Sequence, residues 1–115
     1  MTPFLARWAV AFALTQAIEM PVYWRALPGR PRRERLALAF GASGLTHPAV
    51  WFVIPSHAAI SGVPTVLVAE AFAVLAEAAW LGALGVRQPL AWSLLANGLS
   101  AGLAFLNRAI AFGWP

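Results

Sequence analysis

Four ionisable or amide side chains interrupt stretches that are otherwise apolar: Glu19, His47, Glu77 and Asn97. A further acid, Glu70, stands seven residues before Glu77, two turns along one helix face, with Ala73 between them. Removed from water, such groups persist when they are paired, protonated or turned toward an internal cavity. Carboxyls in apolar surroundings take up protons more readily than in solution, and imidazole titrates near neutrality. Glu19, His47 and Glu77 could therefore pass or exchange protons, or bind a cation and release it on protonation. The same two carboxyls and one His make a divalent metal set with an open position. No His-Glu-x-x-His or paired Glu-x-x-His pattern supports that set, so no cofactor is expected.

The neighbours of these residues extend them into stripes. Thr15 and Gln16 precede Glu19 by four and three residues, and Ser43 stands one turn before His47. Ser93, Asn97, Ser100, Ala104 and Asn107 recur at spacings of three and four. Small, polar stripes face a bundle interior and not lipid. The expected binding set is Glu19, His47, Glu77, Asn97, Ser100 and Gln16. Glu70 is expected to pair with Arg108, whose long stem can reach back along the helix. Pro21 and Pro48 follow Glu19 and His47 closely, and each frees a backbone carbonyl about one turn earlier. Thr46-His47-Pro48 therefore reads as a kink beside a titratable ring. Ser43 and Ser100 have no motif around them that would make them nucleophiles.

Composition says which elements must position these groups. Of 115 residues, 61% are hydrophobic and 10% charged, with mean hydropathy +0.72. A soluble domain is nearer about 25% charged. Lys, Asp and Cys are absent, which excludes disulfides and thiolate metal sites. The pI near 11.5 does not indicate nucleic acid, because the Arg residues neither line a helix face nor alternate with aromatics.

A span needs about 20 mainly apolar residues, and four can be cut, at about 4–24, 36–55, 65–85 and 90–110. The expected fold is all-α, a single-domain polytopic bundle of four antiparallel transmembrane helices. The apolar run after Trp8 continues through Glu19 without a small-residue cleavage site, so the first helix reads as retained. Trp24, Trp92 and Trp114 fall near span ends, where tryptophan anchors a helix at the interface. Gly41, Gly44 and the Gly98-x-x-x-Gly102 pair would let helices approach closely. By rise per residue, His47 lies within roughly 2–3 Å of mid-span, Glu77 within roughly 3–4 Å, and Glu19 and Asn97 roughly 5–8 Å toward the first connection.

Six of the eight Arg residues, at 25, 30, 32, 33, 35 and 87, fall in the first and third connections. That bias places loops 25–35 and 86–89 in the cytoplasm and both termini outside a membrane of the bacterial cytoplasmic type. His57 falls in the outer loop. In length, helix number and a first-helix glutamate, Glu19, the chain resembles the small multidrug-resistance transporters. Glu19 sits late in its helix, and the one-sided Arg distribution departs from the dual insertion of some of that family. Proton- or cation-linked transport or ion binding is the leading expectation. An accessory or oligomeric membrane subunit with a structural polar core is the alternative, and an intramembrane metal or acid–base enzyme the third.

Overall fold

A computed structural model of the chain describes residues 2–53 and 63–112. Four α-helices account for nearly all of them: α1 (Pro3–Ala26), α2 (Arg32–Pro48), α3 (Val63–Ala83) and α4 (Pro89–Phe112), with no strand among the described residues. The termini of these helices follow local chemistry. The Thr2 hydroxyl accepts the Leu5 amide at 3.1 Å, and Pro3 occupies the first turn, where its missing donor costs nothing. Helix α3 ends on Gly85 at φ +82°, and the Val86 amide folds back onto the Leu81 carbonyl at 3.0 Å. Pro89 then opens α4.

The two internal prolines behave differently. Pro21 leaves α1 continuous to Ala26. At Pro48 the α-helix gives way to a π-helical turn, Ala49–Val53. Proline cannot donate to the carbonyl one turn back, and a wider turn absorbs that missing bond.

Each helix packs on its neighbours in chain order, and α4 closes the ring against α1. The bundle measures 43 × 32 × 28 Å. Its inward faces carry mainly small or polar side chains, with Val22, Tyr23, Leu27 and Leu81 as the large apolar or aromatic ones. In α3 the inward residues are Ala69, Ala73, Glu77 and Leu81 at intervals of four, and in α4 they are Ser93, Ala96 and Asn97. Leucine, valine and phenylalanine project outward, including Leu14, Leu45, Leu67, Leu75 and Leu94. The helix over Thr65–Ala83 is long and apolar enough to cross a membrane by length and composition.

The connections of α1–α2 and α3–α4 share one end, where Arg30 donates to the Leu84 carbonyl at 2.8 Å and Arg35 to the Trp24 carbonyl at 2.7 Å. The Arg35 guanidinium also lies 4.1 Å from the centre of the Trp24 ring. The glycines divide. A side-chain carbon on Gly41 would meet the Trp80 ring at 3.0 Å, so this glycine admits the indole that bonds the Leu38 carbonyl. A carbon on Gly44 would meet Phe40 of its own helix. Around Gly98 and Gly102 nothing lies within 4 Å, and both face away from the bundle. The expected close approach at that pair is therefore not made among the described residues. Pro55, His57 and Trp114 lie outside the described residues.

Candidate functional site

Glu19 is held at the end of a polar strip on α1 and is 2% exposed; Glu77, from the middle of α3, is 1% exposed. Ser43 of α2 and Ser100 of α4 each donate to Glu19, to separate oxygens, both at 2.5 Å. Around Glu77, Thr46 donates to one oxygen at 2.7 Å, while Tyr23 and the Asn97 amide (3.2 Å) donate to the other. The two acids lie near enough to interact directly. Three helices, α1, α2 and α4, thus supply donors to one carboxyl pair, and α3 contributes Glu77 itself. Asn97 is fixed by its own helix, through the Ser93 carbonyl at 2.9 Å, and Ser93 in turn donates to the Val74 carbonyl at 2.7 Å.

The donors to the pair share one property: they are hydroxyls and an amide. Among the described side chains the one ion pair is Arg30–Glu34, exposed at the far end of the bundle. Neutral hydroxyl and amide donors, and no basic side chain among the described ones, therefore surround the two buried carboxyls.

A cavity of about 190 Å³ adjoins the pair. Glu19, Ser43, Thr46, His47, Glu77, Asn97 and Ser100 line it, with Thr15 and Glu70 further from the Arg-bearing end. Of the residues that sequence reasoning selected, Glu19, His47, Glu77, Asn97 and Ser100 therefore share one cavity. Gln16 does not line it. That side chain is buried and donates to the Phe40 carbonyl at 3.2 Å.

His47 reaches the cavity without bonding either acid. Its Nε2 is 3.4 Å from the Thr15 hydroxyl, its Nδ1 has no protein partner, and its ring packs among Trp8, Phe12 and Trp51. Among the described residues no three His, Cys, Asp or Glu side chains are grouped to hold a metal ion. The set Glu19, His47, Glu77 is not assembled as ligands, because the imidazole turns toward α1 and the carboxyl oxygens are taken by hydroxyls. Glu70 is half-buried on the cavity wall. Its expected pairing with Arg108 involves a side chain outside the described residues.

Tyr23 is the site residue that sequence reasoning missed. It is completely buried, and its hydroxyl accepts from Asn97 at 3.4 Å while donating to Glu77. The signal was present: it is the chain's one tyrosine, four residues after Glu19 on the same helix face. Thr46, read only as part of a kink, is a direct ligand of Glu77. No protein-family model, curated protein or solved structure matches this chain.

Proposed function

We propose that this chain is a four-span membrane protein whose Glu19–Glu77 pair binds and exchanges protons or a small cation, linked to transport across the bilayer. The observation that carries the reading is the buried carboxyl pair, ringed by hydroxyl and amide donors, with no basic partner among the described side chains. Such a pair takes up a positive charge whenever the protein offers none. The bilayer part of the proposal is supported by the inverted distribution of side chains. Glu, His, Asn, Gln, Ser and Thr occupy the interior, while leucine and phenylalanine cover the outside. Lipid solvates such a surface, and water does not. The Arg excess at the α1–α2 and α3–α4 connections supports a cytoplasmic position for that end, with both termini outside.

The test is flux. Purified protein in sealed liposomes should move protons or a monovalent cation down an imposed gradient. Glu77→Gln should keep the bundle folded and reduce the flux about a hundredfold, the scale on which a positioned proton-transfer group acts. Retention of wild-type flux in Glu77→Gln defeats the assignment.

A second reading has its own support. Each oxygen of the pair receives a donor, which suits a network that fixes helix register in an accessory or oligomeric subunit. In that case liposomes show no flux, Glu77→Gln lowers stability, and crosslinking in native membranes yields a stoichiometric larger complex.

A further inference from the structure

The cavity beside the carboxyl pair is closed at one end and continued at the other. Toward the Arg-bearing end a plug of Tyr23, Leu27, Leu81 and Ala96, each no more than 2% exposed, separates the cavity from a cleft of about 380 Å³ between the connections, and the two spaces share no lining residue. No cavity-lining residue lies beyond Glu19 on α1 or beyond Glu77 on α3 in that direction. In the opposite direction the wall continues through Glu70 on α3 and through Val50 and Trp51 on the π-helical turn. Those same three residues also line a second cleft of about 360 Å³, which extends to Phe4 at the start of α1 and to Val66 and Ala69 on α3. Glu70 is thus the one acid that belongs to both spaces. It also lies within electrostatic reach of Glu19.

We infer that in this conformation protons or small cations reach the Glu19–Glu77 pair from one side, the end opposite the Arg residues, and that Glu70 is the entry carboxyl that receives them. This rests on reading the pair as a proton- or cation-exchanging centre. A half-buried carboxylate at the mouth of a low-dielectric cleft concentrates cations there and repels anions. The π-helical turn after Pro48 contributes by setting Val50 and Trp51 as the wall facing Glu70. At the other end the route would have to pass Leu27, Leu81 and the buried Tyr23 ring, which leave no space for a hydrated ion.

The absence of cysteine makes the route directly measurable. Ala73→Cys and Ala101→Cys each place a thiol on the cavity wall, from α3 and α4. Two membrane-impermeant methanethiosulfonate reagents of similar size, one cationic and one anionic, are added to either side of oriented proteoliposomes. Both variants should be modified from the side of the termini and not from the Arg-bearing side. The cationic reagent should be favoured about tenfold over the ratio seen with a free thiol, and Glu70→Gln in either background should reduce that preference about fivefold. Equal or faster labelling from the Arg-bearing side, no labelling of either variant, or a preference unmoved by Glu70→Gln overturns the inference. Flux separates it from the parent reading. One-sided, Glu70-dependent labelling in a protein without flux keeps the route and removes transport, whereas flux with a preference unmoved by Glu70→Gln keeps transport and removes Glu70.

Discussion

The two halves of this bundle are built from the same four helices and the same small residues, yet next to the carboxyl pair one is closely packed and the other hollow, the packed half opening only between the connections in a cleft of about 380 Å³. Between the Arg-bearing connections and Tyr23, alanines at positions 39, 42 and 96 interlock with Leu27, Leu81 and the tyrosine ring, and no polar group is left over. Between Glu19 and the start of α1, alanines at positions 11, 73, 101 and 104 face a gap that no large side chain among the described residues fills. Alanine next to a bulky side chain makes a tight joint, and alanine opposite alanine makes a cavity. The carboxyl pair sits at the junction of the two. It takes rigid donors from the packed half, where Tyr23 and Asn97 are immobilised, and keeps open space on the other side. Such an arrangement holds the acids in place without sealing them.

The sharpest way to break this contrast is to make one substitution in both halves. Ala96→Leu adds bulk where the side chain has no exposed surface, and overpacking of that kind costs about 1–3 kcal/mol. Thermal unfolding in detergent should register it as a clear drop in midpoint. Ala101→Leu points the same added carbons into the cavity of about 190 Å³. Its stability should stay within about 0.5 kcal/mol of the parent chain, while any flux through the cavity falls steeply. Equal destabilisation by the two variants means the halves are packed alike.

A smaller effect tests the junction. Tyr23→Phe keeps the ring that fills the packed half and deletes only the hydroxyl that donates to Glu77. Hydrogen bonds between membrane helices average about 0.6 kcal/mol, with about 1.7 as the upper measured value. A loss within that range is expected, together with an altered pH dependence of flux, because Glu77 then lacks one donor. Unchanged stability and an unchanged pH profile would place Tyr23 in packing alone.

How much of this the sequence carried differs from residue to residue. The four helices were legible, since Gly29, Gly85 and Pro89 punctuate an apolar pattern, and α1 and α4 extend only one or two residues beyond the expected spans; the limits of α2 were not, because it starts at Arg32, inside the expected 25–35 loop, and its α-helix stops at Pro48 where the span was expected to run to 55. The stripe through Ser93, Asn97 and Ser100 identified the inward face of α4 because polar spacing of three and four has no other use in so apolar a helix. Partner choice was not legible. Nothing in spacing along a helix says that Ser43 and Ser100 take Glu19 while Thr46 and Tyr23 take Glu77; relative rotation and rise of the helices decide that. His47 shows the same limit. Its spacing placed it beside the acids, but nothing along the helix says that the aromatic cluster of Trp8, Phe12 and Trp51 draws the ring toward α1. Among the described residues α3 alone is long and apolar enough to cross a membrane by length and composition, although it carries Glu70 and Glu77; α2 has 17 residues and opens on Arg32, Arg33, Glu34 and Arg35.

The last and smallest effect lies at the packed end, where Arg35 closes the joint between α1 and α2. Its Nε donates at 2.7 Å to the Trp24 carbonyl, which also accepts the Leu27 amide at 3.3 Å where α1 ends, and its guanidinium lies over the Trp24 ring. A cation over an aromatic face at a half-exposed site contributes about 0.5–1 kcal/mol, so Arg35→Ala should lower the unfolding midpoint by a few degrees at most. Arg35→Lys should recover part of the charge effect but not the planar stacking. Neither substitution should change labelling at Ala73→Cys, because the packed half lies between Arg35 and the cavity. A change in that labelling would mean that the Arg-bearing end communicates with the hollow half, and the division of the bundle into two independent halves would fail.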